Sequence, residues 1–250
     1  MEPEARALCS AASRPYLTAG RFPYHFARSK LRFYPVFLTL VRRSLIPDGA
    51  RVIDLGCGQG LLAALLLAAR RQFDTGIWPE AWPAPPANLL LHGIELQDEI
   101  AQWGRTALGD AVRIETGNVA GAVLPEADVI VLLDVLHYLE VDAQLQLLEN
   151  AVRALAGGGR LLMRVADASA GLSFHLTRLA DRLGTSLHFR RRRSPRMTCR
   201  TAAEWTSLLQ KLGFQVGVEP IDGRTPFANV LLHARIGARA PRGYPWSRHL

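Results

Sequence analysis

Cysteine is scarce in this sequence. The 250 residues contain only Cys9, Cys57 and Cys199, which lie far apart. No C-x-x-C pair occurs, so the sequence predicts neither a disulfide framework nor a cysteine-rich zinc site. No ligand set typical of another metal ion is evident, and we expect no bound metal. Free cysteines fit a reducing compartment, and a cytoplasmic location is the expectation.

Long apolar runs are also missing. The longest, residues 61–69, is too short for the ~20 residues that span a bilayer. The N-terminal stretch MEPEARALCSAASR carries two early glutamates and lacks the apolar core of a secretory signal. We therefore expect a protein without a transmembrane segment.

Acidic residues are the minority charge. There are 22 of them against 30 lysines and arginines, which gives a formal net charge of +8. This excess attracts anionic partners without identifying one. Part of it lies in an arginine run at 190–193, which predicts either a nucleic-acid or carrier-protein contact or a solvated surface loop.

Apolar runs alternate with amphipathic segments through the middle of the chain. They predict strands at 52–55, 89–96, 112–115, 127–133 and 160–165, and helices at 61–70, 97–108 and 141–156. Glycines 157–159 are expected to end the last of these helices. A capping box formed by Thr201 and Glu204 starts another helix, and strands at 214–218 and 228–236 follow it. This alternation predicts an α/β fold with a largely parallel sheet.

The predicted domain covers residues 21–236. Residues 1–20 show no clear periodicity and are expected to form a flexible tail. Within the domain, alternating aromatic and basic residues at 21–46 predict an N-terminal helical cap, and 168–200 are expected to form an insertion on the substrate side. A proline-rich stretch at 78–88 predicts a surface insertion. Residues 237–250 are expected to form a second tail.

The sequence VIDLGCGQG at 52–60 carries the main chemical signal. A predicted strand ends in three glycines directly before a helix, where the backbone turns tightly and a ligand approaches closely. The spacing is G-x-G-x-G rather than the G-x-G-x-x-G of dinucleotide sites, and no P-loop motif occurs. Asp54 on the strand would repel a pyrophosphate but favours a cationic ligand that carries an amino acid.

This motif resembles the first motif of class I S-adenosylmethionine-dependent methyltransferases. The resemblance implies a Rossmann-like seven-stranded sheet with helices on both faces and an antiparallel last strand. It implies S-adenosylmethionine as the cofactor, with Asp54 supporting the loop and Gly56, Cys57, Gly58 and Gly60 lying under the methionine part. A turn with a purely structural role is the alternative interpretation.

Further segments match the same family pattern, and the matched motifs together cover roughly residues 51–165. The resemblance implies that Glu95, followed by Leu96, holds both ribose hydroxyls. Asn118, followed by Val119, stands where the family usually has an aspartate that contacts adenine, and it keeps an acceptor oxygen. Asp134, just past the strand at 127–133, is also predicted to bind the cofactor.

Catalytic candidates follow the same strand, where ligands bind in open α/β sheets. Histidine titrates near neutral pH, so His137 is the candidate general base for a phenol or hydroxyl acceptor. The alternative is a histidine that packs against or caps the next helix. Tyr138 either faces the substrate or belongs to the core. Arg28 and Lys30 are candidates to pair with the cofactor carboxylate, or they belong to a solvent-exposed basic helix.

Missing motifs narrow the acceptor. No [DNS]-P-P-[YFW] follows the fourth strand, which argues against amino-group methylation of DNA bases or glutamine, and no Pro-Cys nucleophile occurs there. The segment FARSKLRFYPVF resembles bacterial methyltransferases of aryl-polyene or acyl-type biosynthetic clusters. That resemblance implies a small aromatic or acyl acceptor, free or bound to an acyl carrier protein. An RNA methyltransferase and a non-catalytic cofactor-binding protein are the alternatives.

Overall fold

A seven-stranded mixed sheet forms the centre of the protein. The computed structural model describes residues 1–166, 200–221 and 229–237. The strands are β1 Arg51–Leu55, β2 Leu90–Glu95, β3 Arg113–Thr116, β4 Ala127–Leu133, β5 Leu155–Ala166, β6 Phe214–Pro220 and β7 Asn229–Ile236. Their order across the sheet is β3-β2-β1-β4-β5-β7-β6. The first five strands pair in parallel, and β7 is antiparallel to both neighbours. The predicted Rossmann-like α/β fold with an antiparallel last strand is confirmed.

Helices cover both faces of this sheet. In the described ranges they are α1 Pro3–Ser13, α2 Arg21–Phe33, α3 Val36–Arg42, α4 Leu61–Asp74, α5 Asp98–Leu108, α6 Val141–Ala154 and α7 Ala202–Lys211. One buried cluster packs α1 to α5 against the sheet, and a second packs α6 and α7 against the other face. Strands between two such layers are buried on both sides, which explains their continuous apolar runs.

The expectation that residues 1–20 form a flexible tail is wrong. Residues 3–13 form α1, and its apolar side packs beside α4 in the first core cluster. The buried residues Ala5, Leu8, Cys9 and Ala12 follow the spacing of one helical face. Small alanines make this face only weakly apolar, so its periodicity is easy to miss in the sequence.

The boundary between α6 and β5 also differs from the prediction. The helix ends at Ala154, and strand pairing begins at Leu155, opposite Ala127. The register then shifts before Val129 pairs with Arg160. The glycines at 157–159 therefore belong to an irregular stretch of β5 rather than to the end of a helix.

The remaining predicted segments can be placed only in part. Helices α2 and α3 occupy the predicted cap. In the proline-rich insertion, Trp78 stacks edge-on against Trp82 with ring centroids 5.3 Å apart, and both pack against the core. The insertion at 168–200 and the tail at 237–250 lie outside the described residues, except for Arg200 and Gly237. No helix in the described ranges is long and apolar enough to cross a membrane.

Candidate active site

The glycine loop connects β1 to α4 beneath open space. Its three glycines have positive φ angles of 74°, 58° and 79°, which residues with a Cβ rarely adopt. A Cβ on Gly56 would lie 2.4 Å from Cγ2 of Val135, so the loop packs closely against the turn after β4. A Cβ on Gly58 would have no atom within 4 Å. The loop is therefore packed on one side and leaves room for a ligand above Gly58.

Glu95 ties the end of β2 to this loop. Its side chain is buried, and its Oε2 accepts a hydrogen bond of 3.0 Å from the backbone N–H of Gly58. Its Oε1 accepts one of 2.9 Å from the N–H of Gln97. Each carboxylate oxygen has a second lone pair, so Glu95 can accept from a ligand diol and still hold the loop.

Asp54 lies on β1 beside Glu95. Its removal from water and the neighbouring negative charge of Glu95 raise the pKa of the Asp54 carboxyl to about 7. A cationic group bound nearby would oppose both effects by direct attraction and favour the carboxylate. Asp54 is therefore poised to respond to a positively charged ligand.

Cys57 fills space beneath the loop. Its pKa is raised well above the ordinary value by burial and by the charges of Asp54 and Glu95, which keeps the thiol protonated. A Cβ on Gly93 would lie 2.6 Å from the Cys57 sulfur, so the strand has no room for a larger residue there. The structure thus places Cys57 as a packing residue of the glycine loop.

The turn after β3 borders the same opening. The N–H of Gly117 donates to the carbonyl of Glu95 at 2.8 Å and brings this turn beside the end of β2. Asn118 is exposed, and its Oδ1 accepts from the N–H of Ala120 at 3.1 Å. Val119 is buried, whereas Leu96 is 58% exposed. The exposed pair of Leu96 and Asn118 therefore flanks the opening above Glu95.

His137 and Tyr138 lie in a short 3-10 helix, Leu136–Tyr138, after β4. Their ring centroids are 4.0 Å apart, and both side chains are half-buried. The residue that precedes α6 is Glu140, so His137 is not in the position of a helix cap. Val135, two residues earlier, lies against Gly56, so the turn that carries His137 adjoins the glycine loop.

Asp134 has an unexpected partner, Arg164 on β5. The Arg164 Nη1 forms an ion pair with Asp134 Oδ2, and the N–H of Asp134 donates to the Arg164 carbonyl at 3.2 Å. Asp134 also has a positive φ of 62°. The arginine carries no sequence signal of its own, since it is one charged residue within an apolar strand.

The two basic candidates of the N-terminal segment separate in the structure. Arg28 is exposed, and its Nη1 donates to the Tyr24 hydroxyl at 3.3 Å. Lys30 points elsewhere, with its Nζ 3.6 Å from the centroid of the Tyr34 ring. The Tyr34 ring in turn contacts Arg164, so the structure brings Lys30, but not Arg28, into the group around Asp134.

Sequence reasoning missed a direct link between the N-terminus and the glycine loop. The buried Tyr16 hydroxyl donates to the carbonyl of Gln59 at 2.7 Å, and the Gln59 side-chain amide donates to the carbonyl of Pro23 at 3.0 Å. Burial raises the pKa of Tyr16, which keeps its hydroxyl a donor. Tyr16 and Pro23 thus fix Gln59, and with it the glycine loop, through two hydrogen bonds from the N-terminal segment. The residues of the predicted tail gave no signal for this contact.

Comparison with known proteins agrees with this geometry. The methyltransferase-domain family matches residues 25–217, most of the chain. The chain belongs to this family. Comparison with curated protein sequences gives no match.

Solved methyltransferase structures share the fold. A chain of the complex that contains the Haloferax volcanii Trm112 methyltransferase activator has a TM-score of 0.60 at 17% identity, with coverage of 95% of this chain and 99% of that one. Magnesium protoporphyrin IX methyltransferase from Synechocystis PCC 6803, with bound S-adenosylhomocysteine, has a TM-score of 0.53 at 19% identity. The match covers 81% of this chain and 80% of that one. The O-methyltransferase NcsB1 from neocarzinostatin biosynthesis has a TM-score of 0.57 at 22% identity. The match covers 90% of this methyltransferase but only 59% of NcsB1.

The residues of this methyltransferase fit S-adenosylmethionine, the cofactor of the family. Gly58 leaves space that a Cβ would fill, and Glu95 offers carboxylate lone pairs at the edge of that space. Asp54 is a carboxyl whose ionisation a cationic ligand would favour. In the described ranges no cluster of three or more histidine, cysteine, aspartate or glutamate side chains is placed to hold a metal ion.

Proposed function

We propose that the protein transfers a methyl group from S-adenosylmethionine to a small aromatic or acyl molecule. The observation that carries this proposal is the contact between Glu95 and the N–H of Gly58, which joins the acid of β2 to the open glycine loop. This arrangement offers hydrogen-bond acceptors for a ribose beside a loop with room for an amino-acid chain. A turn with only a structural role would need neither the buried carboxylate nor the open space.

The residues on and around the glycine loop then have proposed roles. Glu95 holds the ribose hydroxyls, Gly56, Cys57, Gly58 and Gly60 form the surface under the methionine part, and Asp54 faces its cationic amino group. Leu96, Asn118 and Val119 border the adenine. When bound, S-adenosylmethionine supplies an electrophilic methyl group on a sulfonium. The protein contributes mainly alignment of donor and acceptor, which is worth several orders of magnitude in rate.

His137 is the proposed general base, with Tyr138 beside it as an acceptor-facing aromatic. Its place after β4, in the turn that packs on the glycine loop, supports this role. An imidazole there can accept the proton of a hydroxyl or phenol as the methyl–oxygen bond forms.

The test is a methyl-transfer screen with radiolabelled S-adenosylmethionine. Purified protein is incubated with panels of phenols, hydroxy acids and carboxylic acids, free and loaded on an acyl carrier protein, and with total RNA. We expect label in a small molecule and none in RNA. Label only in RNA would support the alternative of an RNA methyltransferase, which the net charge of +8 suggests. Cofactor binding without transfer to any acceptor would support the non-catalytic alternative.

A further inference from the structure

A buried cation near the carboxyl end of β5 has no role so far. Arg164 is 7% exposed, and its guanidinium carbon lies 4.8 Å from the centroid of the Tyr34 ring. Asp134 engages only Nη1, and the buried Nε has no hydrogen-bond partner in the described part of the chain. An unused donor on a buried charged group is costly, so the arrangement is incomplete without a further acceptor.

A second cation shares the same aromatic ring. The Nζ of Lys30 lies 3.6 Å from the Tyr34 centroid, and Lys30 forms no ion pair with any described residue. Asp134 is the carboxylate paired within this group of Arg164, Lys30, Tyr34 and Asp134. Two cations against one carboxylate leave a net positive charge close to an aromatic ring. Such a group is complementary to a ligand with one negative charge and an apolar body.

The position of the group indicates which ligand it serves. Arg164 lies near the carboxyl end of β5, and Asp134 directly follows β4. Ligands of open α/β sheets bind at these ends. The glycine loop, Glu95 and the turn after β3, which are proposed to bind the cofactor, follow β1, β2 and β3, whereas Asp134 follows β4 and Arg164 lies on β5, the next strand away from them. It therefore borders the acceptor rather than the adenosine.

We propose that Arg164 and Lys30 bind a carboxylate of the methyl acceptor, which makes the substrate a small carboxylic acid. This inference rests on the proposed methyltransferase function. Asp134 holds Nη1 and fixes the plane of the guanidinium, and the carboxylate accepts from Nε and from the Lys30 ammonium. A planar fork suits this pairing, because it can bind two acceptors at once. The Tyr34 ring, in the two-residue connection between α2 and α3, contacts both cations, so the proposal requires that this ring turns away when the acid binds.

The test compares two probes of matched shape, salicylate and its neutral analogue salicylamide. Their affinities for the protein saturated with S-adenosylhomocysteine are measured by calorimetry. We expect salicylate to bind at least about tenfold more tightly, as for a charge-assisted hydrogen bond. Lys30→Met and Arg164→Gln should each abolish this preference and leave S-adenosylhomocysteine affinity within about twofold. Arg32→Gln, an exposed charge on the same helix as Lys30, should retain the preference.

Each other outcome overturns the proposal. Equal binding of the two probes, or binding of neither, removes the carboxylate site. A preference for salicylate that persists in Lys30→Met and in a folded Arg164→Gln also removes the carboxylate site. If Arg164→Gln does not fold, the same comparison of the two probes is made with Arg164→Lys and with Lys30→Met, whose substituted residue is partly exposed. Loss of S-adenosylhomocysteine affinity in Lys30→Met would assign the cation to the cofactor's own carboxylate. Failure of wild-type protein to bind S-adenosylhomocysteine would instead refute the proposed function itself.

Discussion

Replacement of Glu95 by glutamine is the perturbation whose effect follows most directly from the structure. The carboxylate is 9% exposed and accepts from the N–H groups of Gly58 and Gln97. Glutamine keeps the shape and one acceptor oxygen but loses the charge and the second acceptor. A hydrogen bond to a charged group contributes about 1.5–3 kcal/mol. If Glu95 holds the ribose, the loss of that bond should weaken S-adenosylhomocysteine binding roughly 10- to 150-fold.

The same change should lower stability, because one backbone N–H loses its acceptor. A buried unsatisfied donor costs about 1–3 kcal/mol, which should lower the Tm by a few degrees. The assay is therefore calorimetric titration at a temperature at which circular dichroism shows the variant to be folded. Glu99→Gln is the matched control, since this exposed acid lies on α5 only four residues away. A folded Glu95→Gln protein with wild-type affinity would refute the assigned role of Glu95.

Three further predictions concern the loop, the Asp54 carboxyl and the candidate base. Gly58→Val and Gly76→Val both place a Cβ in open space at a positive φ, 58° and 73° respectively. Both variants should therefore lose about 1–2 kcal/mol of stability, but only Gly58→Val should lose S-adenosylhomocysteine binding. Equal affinities in the two variants would contradict the loop assignment. The pKa of Asp54 is raised to about 7 in the folded protein, whereas in the unfolded chain this carboxyl loses its proton at about pH 4. The contribution of Asp54 to the free energy of unfolding therefore falls as the pH rises from about 4 to 7. Cofactor binding at pH 6.5 should release this proton, and calorimetry in buffers of different ionisation enthalpy should show that release in wild type and not in Asp54→Asn. His137→Asn should lower turnover by about 10² or more with unchanged cofactor affinity, and a fully active variant would leave alignment as the mechanism.

The strands and the glycine loop could be predicted from sequence because their signals are local. Buried parallel strands are continuous apolar runs, and the positive φ angles after β1 require glycines at fixed spacing. The start of β5 could not be predicted, because the pairing of Leu155 with Ala127 depends on a register shift between distant segments.

Contacts between distant residues account for the rest of what the sequence did not reveal. Tyr16 holds Gln59 across 43 residues, and Arg164 meets Asp134 across 30. Neither pair has a motif, and an isolated arginine within an apolar strand is not by itself a functional signal. Helix α1 was missed for a different reason, since Leu8 is the one large apolar residue on a buried face otherwise made of two alanines, a cysteine and a serine.

The most direct test of the central claim is calorimetric titration of the wild-type protein with S-adenosylhomocysteine, with NAD as the control ligand. The loop spacing and the position of Glu95 predict saturable, equimolar binding of S-adenosylhomocysteine and no binding of the dinucleotide. The folded protein should also show a higher Tm in its presence, because the ligand binds the native state alone. Absence of binding to the folded protein, or equal binding of NAD, would contradict the account.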